Sequence, residues 1–490
     1  MQPVAWSAIA SFVQQAIWLL LFFILAPILG PRPYGQFAVA MAFIGFCELV
    51  LTGPLVDALL SMETLEREHL RTASLAGVAL AVLAGGVSFL SAPYIAEVFG
   101  DAGIEPLFKA LSVLPATAVL TAAPIAILKS HLLFRLLALR TIVALALGGA
   151  VGVGLAFYGA GVWSLVAQVL VQRTTEVVIL WATARTRFEL GWSKRHFADL
   201  RHYMVNVFFV QAMAFASTSI PRLILGFFLG PADLGLFVFA WRIHDALVWT
   251  TIRPICAVAR ITLRQFGKST KELEAAFARI LEDTALAAYP VCCGAAAVVS
   301  LIFKILLDSR WQQAVFASQL MILCVIPLAV FHIGSSTLLA MKRPQDEAKI
   351  TLAHTVVGSL FVLFAAPFGL DAACFVTLLR QLLLIPLLLY FLSYACGISP
   401  RAVAAAICPP LAVSLIMGYA VTLAAPAVER QFGLTASLMI LVAMGVAIYC
   451  VLIAITAPQS AGRFIANARG LVLREGTALP HSLKPPPSVK

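Results

Sequence analysis

The chain has 490 residues, of which 61% are hydrophobic and only 12% charged, with a mean hydropathy of +0.97. So much apolar surface cannot be hidden in one soluble core, which excludes a soluble globular protein and requires a bilayer. The net charge of +11 does not imply a nucleic-acid partner, because the Lys and Arg residues are distributed over alternate loops rather than gathered on one face.

A helix needs roughly 20 apolar residues to cross about 30 Å of hydrocarbon. Segments of that kind follow one another near 6–29, 36–59, 72–96, 107–128, 137–157, 160–181, 203–229, 231–258, 278–301, 313–338, 349–368, 371–394, 404–424 and 432–457. They define an all-α membrane protein of about fourteen transmembrane helices. The first is too long for a signal-peptide core and is followed by Gly30-Pro31-Arg32-Pro33 rather than a small-residue cleavage site, so it reads as a retained helix. Loops after even-numbered segments carry the cations, among them Arg67, Arg71, Lys129, Arg135, Arg140, Arg185, Arg187, Arg260, Lys268, Lys342 and Arg463; those after odd segments offer only Arg32, Lys304, Arg310 and Arg430. The positive-inside rule then places both termini in the cytosol, in a multi-pass protein of the inner membrane.

Leu29-Gly30-Pro31 and Leu229-Gly230-Pro231 open two copies of one pattern, continuing through Tyr34, Gly35, Phe37 and Ala40 and through Leu234, Gly235, Phe237 and Ala240. Each copy ends one helix, turns tightly and starts the next. An even number of helices separates them, which predicts two parallel six-helix lobes, 1–181 and 203–394, related by an axis along the membrane normal, plus a helix pair at 395–457. The basic segment 182–202, with Phe188, Trp192 and Phe197, reads either as an interfacial element or as a solvated linker. Ser269-Thr270-Lys271-Glu272 has the spacing of a capping box at the start of the ninth helix. The tail 458–490 is polar, ends near Pro485-Pro486-Pro487, and reads as disordered.

Several blocks carry a family likeness. Asp57-Ala58-Leu59-Leu60 is followed by Glu68-His69-Leu70-Arg71-Thr72-Ala73; Gly159-Ala160-Gly161-Val162-Trp163-Ser164-Leu165-Val166-Ala167-Gln168 precedes Leu180-Trp181; Arg222-Leu223-Ile224-Leu225-Gly226 runs into the second repeat; Trp311, Ala314 and Gln319 open the tenth helix. Over roughly residues 5–455 the chain resembles the Wzx-like polysaccharide-transporter branch of the multidrug/oligosaccharidyl-lipid/polysaccharide flippase superfamily. The resemblance implies a flippase, not an enzyme, that moves polyprenyl-diphosphate-linked repeat units to the periplasmic leaflet for exopolysaccharide or lipopolysaccharide synthesis. Its partners would be that lipid-linked oligosaccharide, membrane lipids, a polysaccharide polymerase and chain-length or export proteins. One departure is Pro221, where the family commonly has an acid before the Arg. A lipid II-type or multidrug transporter of the same superfamily is the nearest alternative; a membrane-embedded polymerase or an export-complex scaffold is the alternative of another class.

Independently of family, an ionisable group in a spanning helix costs about 2.5–3.5 kcal/mol on insertion scales and therefore faces a bundle interior or a wet cavity. Arg242, Asp245, Trp249 and Arg253 have the spacing of one helical stripe, with Arg242 near mid-membrane. Guanidinium suits a diphosphate, being always charged and able to fork onto two oxygens; an internal Arg242/Asp245 pair is the other reading. Gln168, Gln172 and Glu176 recur at i+4, with Arg173 able to pair with Glu176. Arg222 and Arg380 complete the cavity candidates, with Gln381 beside Arg380, and Glu48, Glu176 and Asp245 are the candidates for proton coupling. Ser7, Ser11, Gln14 and Trp18 form a polar stripe on the first helix. Thr52-Gly53-Pro54 predicts a break four residues after Glu48.

No cofactor or metal site is read from the sequence. Gly267-Lys268-Ser269 lacks the first glycine of a phosphate loop, and the Gly148, Gly149, Gly152, Gly154 cluster reads as close helix packing. His244, His332 and His354 lack metal-ligand spacing, and the nine cysteines read as small buried hydrophobes.

Overall fold

A computed structural model describes residues 2–62, 66–131, 133–184, 189–266, 269–458 and 462, with side chains from Ser11 onward except those of Val50, His202, Val210, Ala214 and Ala257. The described residues contain 13 helical stretches long and apolar enough to cross a membrane. One of them holds two crossings. Helix α1 (Gln2–Leu29) ends and α2 (Pro31–Ser61) begins at Gly30, with φ 78° and ψ 175°. Gly230, at the equivalent place in the second repeat, has φ 80° and ψ 177° and breaks α8 (Lys194–Leu247) in the same way. A side chain disfavours that region; glycine does not, and the proline after each glycine is preorganised for a first helical turn. With this break counted, fourteen crossings are present.

The two repeats also touch each other. A Cβ on Gly35 would run into the Pro231 carbonyl, and one on Gly235 would run into the Pro31 carbonyl. This reciprocal backbone contact is why α2 packs most extensively against α8. The same end of the bundle is fastened by three other links. Trp311, fully buried in the turn Ser309–Trp311, donates its indole N–H to the Ala26 carbonyl at 3.0 Å and lies 4.7 Å from the Phe239 ring. Arg310 Nη2 donates to the Pro27 carbonyl at 2.9 Å. Arg32 pairs with Asp101 at 3.0 Å.

Helices α3 (Arg67–Val98), α4 (Ile104–Leu111), α5 (Leu114–Ser130), α6 (Phe134–Phe157) and α7 (Trp163–Ala184) complete the first half. Close packing at the glycine cluster is realised: a Cβ at Gly152 would meet Gln168 of α7 at 2.8 Å, and Gly148 sits against the same helix. The second half continues from α8 through a π-helical turn, Val248–Ile252, into α9 (Arg253–Gln265), then α10 (Thr270–Leu306), α11 (Ala314–Leu323), α12 (Val325–Ala340), α13 (Pro344–Ala365), α14 (Leu370–Cys396), α15 (Pro400–Phe432) and α16 (Leu434–Thr456). α15 and α16 leave Leu415, Tyr419, Val446 and Ile455 exposed, as lipid-facing side chains are.

Four expectations change. The basic segment before the seventh crossing is helical from Lys194, because α8 extends beyond the hydrocarbon span; the Trp192 and Phe197 rings lie 4.8 Å apart with their planes tilted by 35°, while Arg185, Arg187 and Phe188 lie outside the described residues. Helix α2 is not ended by Thr52-Gly53-Pro54 and runs on to Ser61, Gly53 giving room to Gln211 of α8. Ser269 is the N-cap of α10 but its side chain makes no capping bond, and a reciprocal capping box is found instead between Glu66 and His69. Arg140, counted among loop cations, lies inside α6. Ser7, Gly267, Lys268 and the tail from 463 fall outside the described side chains.

Candidate functional site

Three cavities receive nearly all the candidate residues. The central one, of about 180 Å³, lies between α1, α2, α7 and α8 and is lined by Trp18, Tyr34, Gln168, Ser219, Arg222 and Arg242 among others. Arg242 places its Cζ 5.3 Å from the Trp18 ring and 5.9 Å from Phe22, while Arg222 lies 5.4 Å from the Trp241 ring. Neither has a carboxylate within ion-pair distance among the described residues. Aromatic faces therefore hold the guanidiniums, and Asp245 acts on both only through its field, from beyond ion-pair distance. The Tyr34 hydroxyl and Arg222 Nε are buried without a partner among the described residues, and such groups favour an incoming acceptor.

The second cavity, of about 410 Å³, lies in the first half and contains Glu48, Arg140, Arg173 and Glu176. Arg173 joins two acids distant in sequence, reaching Glu48 at 3.1 Å and Glu176 at 3.3 Å. Gln172 donates to Glu176 at 3.2 Å. Gln168 points instead into the central cavity, so the i+4 row on α7 serves two chambers.

The third cavity, of about 350 Å³, lies in the second half and takes Asp245, Arg253 and Arg380 together with His332, His354 and Gln381. Asp245 accepts the Trp241 indole N–H at 3.1 Å, Arg253 lies 4.3 Å over the Trp249 ring, and Arg380 Nη1 donates to the His354 carbonyl at 3.4 Å. Gly358 gives Arg380 its place, since a Cβ there would strike the guanidinium. Trp249 lines none of the three cavities.

The stripe expected on the eighth crossing is thus divided. Arg242 and Asp245 are separated by about 60° around the helix axis, and this helix is the wall between two chambers, so one faces Trp18 and the other faces α12 to α14. The π-helical turn at Val248–Ile252 then rotates Arg253 away from the register a continuous α-helix would give. The internal Arg242/Asp245 ion pair is not formed. Sequence reasoning missed Arg140 as a cavity residue, although it sits three residues inside its own apolar segment, and read Trp18 only as part of a polar stripe. The Glu48–Arg173 contact had no sequence signal, its members being 125 residues apart.

Residues 24–316 match the family described as polysaccharide biosynthesis protein. The chain belongs to that family. A curated relative, the succinoglycan biosynthesis transport protein ExoT of Rhizobium meliloti (strain 1021), is 23% identical over 311 residues, which take in 64% of this chain and 63% of ExoT. The chain therefore spans somewhat under two thirds of that relative's length. Among solved structures, the lipid II flippase MurJ in an inward closed conformation superposes with a TM-score of 0.73 at 15% identity, covering 92% of this chain and 98% of MurJ. An inward-facing multidrug resistance MATE family transporter of the MOP superfamily gives 0.58 at 14%, covering 80% and 95%. These establish the fold of this family member as the one shared by those transporters, in agreement with the resemblance carried by its sequence blocks.

Proposed function

We propose that the protein is a flippase that carries polyprenyl-diphosphate-linked oligosaccharide repeat units across the inner membrane for exopolysaccharide or lipopolysaccharide synthesis. One observation carries the reading: Arg222 and Arg242 share a central membrane cavity with no carboxylate paired to either among the described residues. A cavity for cationic drugs would need acids there, whereas a diphosphate needs guanidinium forks. Trp18, Phe22 and Tyr34 beside them offer faces for sugar rings. Family membership and the succinoglycan transport relative support a glycan cargo.

The diphosphate is assigned to Arg222 and Arg242, which line one chamber, rather than to Arg242 and Arg253, which line different ones. Arg253, Arg380, Asp245 and Gln381 form a second polar chamber for the distal glycan. In this mechanism the two six-helix lobes, 1–181 and 203–394, rock about the reciprocal Gly35 and Gly235 contact. Both termini and the basic loops are placed in the cytosol. The Glu48–Arg173–Glu176 cluster is assigned to proton coupling, with Asp245 as a second candidate, because a guanidinium shared by two acids can shift to one of them when the other takes up a proton.

The test is export by an Arg222→Ala/Arg242→Ala double variant. Surface polysaccharide should be lost and the lipid-linked oligosaccharide should accumulate on the cytosolic leaflet, with the protein present in the membrane at normal level. Normal export from that variant would overturn the assignment.

A further inference from the structure

Arg380 lies near the middle of α14, deep in a spanning segment, where a charge is costly unless it faces water or a partner. Its guanidinium makes one hydrogen bond among the described residues, from Nη1 to the His354 carbonyl at 3.4 Å, which is long for a charged donor. Its Nε is buried without a partner. No carboxylate among the described residues pairs with Arg380 or lies near enough for its charge to act on it. Arg222 and Arg242 differ, since Asp245 acts on both. The two acids of the third cavity are engaged elsewhere. Asp245 accepts the Trp241 indole N–H at 3.1 Å, and Glu347 accepts the Ser335 and Thr351 hydroxyls at 3.1 Å and 3.0 Å.

The position is nonetheless a built one. Gly358 of α13, one turn beyond His354, leaves the slot that the guanidinium fills. Next to Arg380 in sequence, Gln381 is only 5% exposed, and its side-chain oxygen has no donor among the described residues. Both residues line the third cavity. An unanswered cationic donor beside an unanswered acceptor is the complement of a ligand that carries a negative group next to a hydroxyl. The chamber also adjoins the central cavity. Ser217 and Thr218 line the third cavity, while Ser219 and Arg222 of the same helix line the central one. Trp241 stands between them, its ring 5.4 Å from Arg222 and its N–H turned to Asp245. A glycan whose diphosphate rests on Arg222 and Arg242 thus passes the Trp241 ring and enters the third cavity with its distal sugars.

We propose, resting on the flippase function above, that the third cavity selects cargo whose distal sugar bears a carboxylate, with Arg380 meeting the carboxylate and Gln381 a neighbouring hydroxyl. Arg380 is then a specificity-determining residue. A cation that no acid balances is answered by one added negative charge, whereas a neutral sugar leaves it unanswered in a desolvated chamber.

The full-length protein in lipid nanodiscs is titrated with two polyprenyl-diphosphate disaccharides that differ only in the distal sugar, glucuronic acid in one and glucose in the other. The acidic probe should bind about 10–100-fold more tightly, the range for a hydrogen bond to a charged group. Most of that preference should be lost in Arg380→Gln, and also in Gly358→Ala, which keeps the cation but drives it from its slot. Because the ratio compares two probes on one preparation, a partly folded variant does not imitate the loss. Comparable affinity of the wild type for both probes, or a preference undiminished in the two variants, would overturn this inference and leave the flippase function standing. Binding of neither probe would overturn the proposed function and this inference with it.

Discussion

Gly35 of α2 lies directly against the Pro231 carbonyl, and Gly235 makes the matching contact with the Pro31 carbonyl. The helices at these points approach backbone to backbone, so the bundle is shut at this end by the absence of two side chains. Gly35→Ala or Gly235→Ala inserts a methyl group where there is no room, which costs about 1–3 kcal/mol in a packed core. The expected outcome is a shift toward an arrangement open at this end. A cysteine at Val39, fully buried at present, should become reactive to an impermeant maleimide in the Gly35→Ala background and remain silent without it.

Arg173 neutralises Glu48 and Glu176 together. Removing the cation leaves two carboxylates inside the membrane, where an unpaired charge costs on the order of 2.5–3.5 kcal/mol. Arg173→Gln should therefore lower the melting temperature of the detergent-purified protein more than Glu48→Gln does, and the Glu48→Gln/Arg173→Gln pair should recover part of the loss. Additive losses would mean that the three groups do not act as a unit. If they carry the coupling proton, Glu48→Gln also flattens the dependence of export on the pH gradient.

The crossings were legible because an apolar stretch of roughly 20 residues has few other uses, and the repeat located both glycine turns. Helix ends were not: α8 begins at Lys194 and α9 ends at Gln265, in polar sequence where hydropathy is blind. Charge within apolar sequence exposed Arg222, Arg242 and Arg380. Placing Arg253 on one stripe with Arg242 failed because helical periodicity holds only while the helix is regular, and Pro254, which cannot donate to the turn before it, was the one sign that the register would slip at Val248–Ile252. Contacts such as Arg173–Glu48 and His196–Glu66 depend on tertiary packing, and spacing along the chain carries no trace of them.

Arg242 is positioned by the Trp18 and Phe22 rings, 5.3 Å and 5.9 Å away, rather than by an acid. Trp18→Phe keeps a π-face and should retain most export. Trp18→Ala removes it, with a loss of about 1–2 kcal/mol in a desolvated setting, read as a roughly 5–30-fold weaker affinity for a polyprenyl-diphosphate probe. Arg242→Lys should not substitute for the native residue, because ammonium cannot fork onto two phosphate oxygens. Equal binding by Trp18→Phe and Trp18→Ala would show that the ring only fills space.

Asp101 closes the loop between α3 and α4. Burial raises its pKa, but the Gln36 amide at 2.9 Å, the Gly103 backbone N–H at 2.9 Å and the Arg32 guanidinium together bring it below its ordinary value of 3.8. A carboxyl with a depressed folded-state pKa contributes stability that is fully present above the unfolded value and lost as pH falls through the folded one. Asp101→Asn, which keeps the size but not the charge, should therefore melt below the wild type at neutral pH. The two curves should converge as pH drops below 3.8, where the wild-type carboxyl takes up its proton. Melting temperatures of both proteins across pH 3–7 check this, and a constant gap down to the lowest pH would place the effect of the substitution in packing instead of charge.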